Sequence, residues 1–571
     1  MTRPPAGRLV ALFALMTISL AAISARLAVL QLGRGEELQS QAFAQRARTT
    51  QLPADRGEIL DRDGGRLALS TSARDLYADP REVVDPRATA EVLAPLLGLH
   101  ARDLTRSLSS ETTFVYLARR VEPSVSDRVM QLAMPGIGSL ETTKRSYPAG
   151  TLASHVLGFV GTDGEGLSGL ELAYEDLLAG VAGERTEERG VSGQAIVGGI
   201  DEVRAAVAGS SIVTTIDREL QFLTQVALEQ AVQTQGARGG TVIVMQPSTG
   251  EILAMASFPG FDPNAFQDSP EATYRNRAVT DAFEPGSTNK VITAAAAIQE
   301  AVLPLDQRLQ VPWTMRVGDY VIHDAHPHPV QRMTLGDIVA QSSNIGAVKV
   351  ANLLGSVSLA SYLSGFGLGR ATGVGFPGES DGIMLPLAEW SDTSLATMAY
   401  GQGIAATPLQ MASVFATIAN DGRWVQPRLV RGIVDPGGAY RGLGTPQTRR
   451  VVSAATAQMV TRMLALAVAH GTGTNAQVDG FQVAGKTGTA RIPAKDRAGY
   501  LVGEYVASFI GYLPAADPQI VIAVVLDRPE AGYGSLAAAP LFERVARVAI
   551  AQLGIGPADP VPPPPHAFPI P

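Results

Sequence analysis

The chain has 571 residues, 46% of them apolar, with 46 Lys and Arg against 54 Asp and Glu, a formal net charge of −8. This length asks for more than one domain, and the apolar share supports a large packed core and excludes wholesale disorder. The acidic balance argues against a nucleic-acid groove, and the absence of cysteine excludes disulfide scaffolds, thiolate metal sites, iron–sulfur clusters and a thiol nucleophile.

From the N-terminus, Leu9 to Ala25 is uncharged and mostly apolar, and Leu27 to Leu32 continues the run after Arg26. About 20 such residues span a bilayer, and the long stem of Arg26 reaches the headgroups from near one end. Residues 9–32 therefore read as a membrane anchor and residues 1–8 as a short cytoplasmic tail. Arg3 and Arg8 before the run and Arg26 and Arg34 after it give only a weak charge asymmetry. The outward orientation of the C-terminal bulk rests on finding no second long apolar run. A cleaved signal peptide, with Ala22 and Ser24 near the cut, is the rival reading. It is disfavoured because the apolar stretch runs on past that point.

Residues 33–208 are mixed in character and rich in charge and glycine. Asp63-Gly64-Gly65 marks a hairpin between Ile59-Leu60 and Leu67–Leu69. Residues 209–555 differ in texture. Ile212–Ile216 predicts a strand, and Arg218–Gln235 an amphipathic helix with Asp217 as N-cap. Thr241–Met245 and Ile252–Ala256 predict strands around the Pro247–Gly250 turn. Tyr505–Tyr512 and Ile520–Leu526 form a second strand pair, and Leu541–Leu553 a closing helix. Strands at both ends with helical runs between them suggest a mixed sheet under helices. Residues 556–571 form a Pro-rich tail.

Three short patterns carry chemistry. Ser287-Thr288-Asn289-Lys290 follows the chain break Pro285-Gly286 and opens an Ala-rich helix, so Ser287 and Lys290 share a face. A serine hydroxyl becomes nucleophilic when a neighbour takes its proton, and a lysine does this once burial or another cation lowers its pKa. Ser342-Ser343-Asn344, within a helical pattern from Ile338 to Leu354, offers a hydroxyl and an amide. Lys486-Thr487-Gly488-Thr489 offers a cation, two hydroxyls and a glycine that permits close backbone approach. Each pattern alone reads as readily as a capped helix, a polar turn or a solvated edge strand. Their occurrence together, in this order, is what carries weight.

With these motifs the chain resembles a class B penicillin-binding protein of the division-specific, FtsI-like group, a serine D,D-transpeptidase. The stretch Asn276–Ser287, with Phe283-Glu284-Pro285-Gly286-Ser287 at its end, carries the likeness to that group. Arg56-Gly57…Asp61-Arg62, Arg145–Gly150 and Gly169-Leu170-Glu171…Tyr174 resemble the pedestal motifs of class B proteins. The resemblance implies an α+β transpeptidase fold, a mainly antiparallel sheet flanked by helices. It also implies an N-terminal pedestal of the dimerisation-domain type (33–208), a transpeptidase domain (209–555) and one transmembrane helix.

Carried onto this sequence, Ser287 attacks the D-Ala-D-Ala carbonyl of a peptidoglycan stem peptide and Lys290 takes its proton. Ser342 relays a proton to the leaving amine, and Asn344 holds Lys290. Lys486 repels Lys290 electrostatically and attracts the substrate carboxylate, and Thr487, Gly488 and Thr489 line the acyl site. The backbone N–H groups of Ser287 and Thr489 form the oxyanion hole. No metal or nucleotide cofactor is implied. β-Lactams, a SEDS-type (FtsW-like) glycosyltransferase and divisome membrane proteins are the implied partners, at the cytoplasmic membrane with the enzyme outside it. The same trio serves D,D-carboxypeptidases, β-lactamases and elongation- or sporulation-type paralogues, and a silent cell-wall scaffold is a more distant reading. Asn289 departs from the family, where an apolar or aromatic residue is expected, and this bears on the packing beneath the nucleophile.

Two decoys need physical tests. Gly480–Thr487 satisfies Gly-x-x-x-x-Gly-Lys-Thr, the phosphate-cradling loop, but lacks a buried strand before it, and Pro493 disfavours a helix after it. His323, His326 and His328, from a chain with only 7 histidines, suggest a metal site or, more simply, a polar loop broken by Pro327 and Pro329.

Overall fold

The computed structural model describes residues 6–33, 37–38, 40, 46–190, 196–494 and 499–564. Residues 1–5 of the expected cytoplasmic tail, Arg34, and the end of the Pro-rich tail from residue 565 lie outside the described residues. The helix Ala6–Ala28 runs on as a π-helical turn, Val29–Gly33. None of its residues is buried, and its 28 residues extend about 40 Å at ~1.5 Å per residue, enough to cross a bilayer. This fits a single-pass membrane protein.

The chain folds into two compact units that interleave along the sequence. One comprises residues 1–55, 72–143 and 180–208. In it Ala47–Leu52, Gly183–Glu188 and Asp201–Arg204 pair as an antiparallel three-stranded sheet. A separate small core gathers Leu76, Leu93, Leu104, Leu108 and Val129. The helix Pro86–Leu97 contributes to it, started by Asp85, whose side chain accepts from the N–H groups of Arg87 and Ala88.

The other unit comprises residues 56–71, 144–179 and 209–571. Its centre is a five-stranded sheet built from β1 (Gly239–Met245), β2 (Ile252–Phe258), β3 (Ala484–Pro493), β4 (Tyr500–Leu513) and β5 (Ile520–Asp527), in the order β2-β1-β5-β4-β3. Every pairing is antiparallel, as the family resemblance implied and unlike the mixed sheet that the strand positions alone suggested. The reason is connectivity. β1–β2 and β3–β4–β5 are joined locally, and local connections make antiparallel neighbours.

Alternation along the strands divides the apolar side chains between two faces. Val242, Val244, Phe509, Ile522 and Val524 join one core. It also holds Leu220 and Leu228 of α1 (Arg218–Thr234) and Phe542 and Val545 of α7 (Gly534–Leu553). Ile243, Met245, Ile510, Tyr512, Val521 and Ala523 join the other. There they meet the buried helices α2 (Lys290–Gln299), α3 (Leu335–Ala340), α4 (Asn344–Leu354), α5 (Pro408–Ala419) and α6 (Ala454–Ala469). Asp217 caps α1, accepting from Leu220 N at 2.9 Å, as the sequence led one to expect. The closing helix starts at Gly534, seven residues before Leu541, and carries Pro540 within its second turn.

The three N-terminal motifs converge within this unit on one carboxylate. Glu171 is fully buried. It accepts from Arg56 Nε at 2.6 Å, Arg145 Nε at 2.7 Å and the Tyr147 hydroxyl at 3.2 Å. Arg56 also pairs with Glu175 at 2.6 Å, and Arg145 donates to Gly57 O at 2.8 Å. Removing one member of such a buried set leaves uncompensated charge, at a cost of about 3–5 kcal/mol. Glu171→Ala is therefore expected to lose about that much stability in urea unfolding. A midpoint equal to wild type would show that Arg56 and Arg145 are held by other contacts.

Candidate active site

The position of Ser287 is made by a backbone corner. Gly286 adopts φ +54, a left-handed conformation that favours glycine. Its N–H donates to Gly401 O at 3.0 Å. A 3₁₀ turn, Gly286–Asn289, then feeds α2 at Lys290. Ser287 is half-buried, while Lys290 is only 1% exposed. The alanines of α2, buried along Ala294–Ala297, let neighbouring helices close around the lysine.

Lys290 Nζ lies 3.0 Å from Ser287 Oγ, 2.5 Å from Ser342 O, 2.8 Å from Asn344 Oδ1 and 3.2 Å from Ser342 Oγ. Burial pushes its pKa well below the usual lysine range, repulsion from Lys486 adds to the shift, and Asp324 partly opposes it. A neutral amine has two N–H donors and one lone pair. Ser342 O and Asn344 Oδ1 only accept, so they take the two donors, and the lone pair is left for the Ser287 hydroxyl. The amide of Asn344 is oriented for this, because its Nδ2 donates to His323 O at 3.0 Å.

The helix expected from Ile338 to Leu354 is broken where Ser342 sits. α3 ends at Ala340 and α4 begins at Asn344. Ser342 takes φ +63, which is costly for a residue with a Cβ. Competing side-chain bonds overturn the helical pattern. Ser343 accepts from Gly346 N at 2.9 Å as N-cap of α4, and the buried Asp324 holds the new helix start. Asp324 Oδ1 accepts from Asn344 N at 2.5 Å and Ile345 N at 3.0 Å, and Oδ2 from Ser343 Oγ at 2.7 Å. The break carries both the carbonyl and the hydroxyl of Ser342 to Lys290.

Lys486, Thr487, Gly488 and Thr489 lie on β3, at the edge of the sheet. A Cβ on Gly488 would stand 2.2 Å from Ser508 Oγ, 3.0 Å from Thr288 Cγ2 and 3.1 Å from Pro285 O, so glycine lets the strand lie close to both its sheet neighbour and the turn that carries Ser287. Lys486 is fully buried rather than solvated, and burial lowers its pKa to about 7. Nζ contacts Thr472 Oγ1 at 3.4 Å and Thr487 Oγ1 at 3.3 Å, and those two hydroxyls are 2.7 Å apart. The Thr489 hydroxyl accepts from Gly534 N at 3.1 Å, which leaves its own hydrogen free to donate. Because Lys486 sits within a strand and no helix follows Thr487, the nucleotide-loop reading fails.

Two residues of this architecture escaped the sequence reading. Asp324 stood inside the histidine cluster, and Thr472 inside Gly471-Thr472-Gly473. The cluster belongs to the scaffold of the site. His328 Nε2 lies 3.1 Å from Asp324 Oδ2 and His323 Nδ1 3.0 Å from Asp324 O. Among the described residues no group of three or more His, Asp or Glu is arranged to hold a metal. Asn289 is fully buried, and its Nδ2 donates to Met398 O at 2.7 Å. In place of apolar packing it ties the nucleophile's turn to the end of the helix Ser394–Ala399.

The chain matches two protein families. One is the penicillin binding protein transpeptidase domain, over residues 240–547, and the other the penicillin-binding protein dimerisation domain, over residues 51–214. It is 37% identical to the penicillin-binding protein PbpB of Mycobacterium tuberculosis, covering 93% of this chain and 83% of that one. It is 32% identical to the peptidoglycan D,D-transpeptidase FtsI of Escherichia coli, covering 95% and 91% respectively. The crystal structure of penicillin binding protein 3 from M. tuberculosis with aztreonam superposes with a TM-score of 0.71 at 33% identity, over 90% of this chain and 99% of that one. With its transpeptidase match alone spanning more than half its length, the chain belongs to the penicillin-binding protein family, as a class B member of the PbpB and FtsI type.

Proposed function

We propose that this protein is a peptidoglycan D,D-transpeptidase that crosslinks stem peptides through an acyl-enzyme on Ser287, in septal wall synthesis. The observation that carries the reading is the Lys290 amine. It is buried, its pKa is pushed well down by burial, and it lies 3.0 Å from Ser287 Oγ, where the neutral amine turns its lone pair to the hydroxyl.

Lys290 takes the Ser287 proton as Oγ attacks the carbonyl carbon of the penultimate D-Ala. Charge collects on the carbonyl oxygen, where the N–H groups of Ser287 and Thr489 act as the oxyanion hole, each worth about 3–4 kcal/mol. As the C–N bond breaks, the proton returns through the Ser342 hydroxyl to the terminal D-Ala amine, which leaves. Lys486, with Thr487 and Thr489, holds the substrate carboxylate beside Gly488. An amine from a second stem peptide then attacks the ester carbon and gives up a proton through the same relay. The new amide forms as Ser287 departs with its hydrogen restored, so one peptide bond replaces another without an external energy source. A β-lactam acylates Ser287 in the first half of this cycle.

Residues 33–208 serve as the pedestal and 209–555 as the catalytic part, held outside the cytoplasmic membrane by the 9–32 anchor, with 1–8 inside and 556–571 as an extended tail. The anchor and pedestal are the surfaces offered to a SEDS-type glycosyltransferase and to divisome membrane proteins. Support for this arrangement comes from the exposed N-terminal helix and the dimerisation-domain match.

Labelling with a fluorescent penicillin tests the nucleophile: wild type is labelled and Ser287→Ala is blank. Transpeptidation gives crosslinked dimer from defined peptidoglycan, whereas release of trimmed monomer alone would mean a carboxypeptidase.

The pH profile of acylation follows from the two lysines. Lys290 works unprotonated, so kcat/KM rises with pH through a pKa that burial holds well below the ordinary lysine range. Lys486 works protonated, so kcat/KM falls above about pH 7. A bound carboxylate favours the ammonium form, so kcat loses less on the alkaline side than kcat/KM does. A rate climbing steadily to the ordinary lysine range of about 10.4 would defeat this assignment.

Asp324 acts by positioning. Asp324→Ala frees the Ser342–Asn344 corner and is expected to lower acylation about 100-fold. Because its carboxylate raises the Lys290 pKa, the substitution also moves the acid limb to lower pH. A slower enzyme with an unmoved limb would mean a purely structural role.

A further inference from the structure

A second polar cavity, of about 230 Å³, lies in the same unit and shares no residue with the Ser287 site. It is formed where the segment Phe366–Gly373 meets α5 and the short strands Arg423–Val425 and Thr448–Arg450. Two arginines, Arg370 and Arg449, line it, and no acidic residue does. Arg449 is half-buried and Arg370 exposed, and a half-buried guanidinium in a folded protein is ordinarily paired. Among the described residues neither arginine makes an ion pair with a carboxylate, and Arg370 Nη2 donates to Ser364 O at 3.1 Å.

The local carboxylates are engaged elsewhere. Glu379 Oε1 accepts from Thr372 N at 2.7 Å and from the Thr372 hydroxyl, and Asp381 Oδ1 accepts from Ala371 N at 2.7 Å. The amides of the cavity are used as well. Gln410 Nε2 donates to Arg370 O and Asp381 O, and Gln426 Nε2 donates to Gly373 O. Two kinds of donor are left over. Arg449 is fixed in place by its Nε bond to Gly365 O at 3.1 Å and by stacking 3.7 Å over the Trp424 ring, yet its buried Nη2 has no hydrogen-bond partner. Ser413 is only 2% exposed and lines the same cavity, and its hydroxyl also has none.

The space beside these donors is kept open by the backbone. Gly367 takes φ +101, and a Cβ there would stand 3.3 Å from Arg449 Nη2 and 3.8 Å from Trp424 Nε1. Burial, and then repulsion from Arg370, already lowers the Arg449 pKa to about 10. The fold therefore holds two like charges together around an unfilled space, with buried donors and no acceptor to meet them. A group left unsatisfied in this way calls for a ligand that satisfies it.

We propose that this cavity is a binding site for a small oxyanion, a carboxylate or phosphate group held by Arg449, Arg370 and the Ser413 hydroxyl. Ligand binding neutralises the pair and supplies the missing acceptors.

The full chain in detergent micelles is heated at constant ionic strength with increasing inorganic phosphate and, separately, with N-acetyl-D-glutamate. A saturable rise in Tm with either probe is the expected result, and the stronger probe identifies the source of the oxyanion. Arg370→Gln, at an exposed position that folds without difficulty, is expected to weaken the response about tenfold or more. Arg449→Gln is expected to abolish it. Penicillin labelling at Ser287 stays at wild-type level in both variants, which reports folding and separates this site from the catalytic one. Absence of a saturable rise with both probes overturns the proposal, and so does an undiminished rise in Arg370→Gln. Should Arg449→Gln fail to fold, the Arg370→Gln comparison decides alone.

Discussion

The chemistry proposed for this protein depends on keeping one amine uncharged. An ammonium group in water is strongly hydrated, and Lys290 has lost nearly all of that hydration. What surrounds it are dipoles, a backbone carbonyl and an amide oxygen, and these satisfy N–H groups without favouring a full positive charge as a carboxylate would. The nearest relevant carboxylate, Asp324, spends its oxygens on the start of α4. It thus raises the Lys290 pKa less than burial and Lys486 lower it. A direct Asp–Lys ion pair at the same place would have made a stable structure and a poor base.

That balance explains why the Ser342 corner is strained. A continuous helix would have kept the Ser342 carbonyl in the helical ladder. Breaking the helix and turning Ser342 through a left-handed conformation releases the carbonyl to Lys290. Such strain persists only where the surroundings over-determine it. Here the N-cap by Ser343 and the three bonds to Asp324 do so. The buried side chain of Asn289 does comparable work beneath the nucleophile, fixing the turn through Met398 O where a tight apolar contact would otherwise serve.

The legible parts of the sequence were those set by local chemistry. The capping Asp217, the apolar strands around Pro247–Gly250 and the Pro285-Gly286 break state their structures within a few residues. Ser287, Lys290, Ser342, Asn344 and Lys486 were recognisable by residue type and order, and the shared face of Ser287 and Lys290 by their spacing, although the Ser342 carbonyl contact to Lys290 could not be read. What stayed hidden was tertiary. The apolar spacing from Ile338 to Leu354 reads as one helix, because the residue that breaks it, Asp324, stands some twenty positions upstream among histidines that suggest metal. The polar run Gln341–Asn344, rich in capping residues, was the available hint. Lys486 read alone as a solvated edge residue, and only the fold reveals that the edge is covered and the lysine buried. The antiparallel sense of β1–β2 and β3–β4–β5 follows from strands that are neighbours in the chain, whereas β5 meets β1 across the whole unit, a pairing that strand patterns alone do not weigh.

The same logic separates the two places where this unit gathers cations. At Lys290 and Lys486 the group can shed its proton, so burial, with repulsion from Lys486 added at Lys290, favours a neutral amine there. Arginine has no such exit, since its guanidinium keeps its charge at any physiological pH. The burial of Arg449 and its repulsion from Arg370 therefore cannot be relieved by titration, only by an anion. Lysine where the function is proton transfer, and arginine where it is the holding of a negative group, is the division that the acid–base chemistry of the two side chains requires.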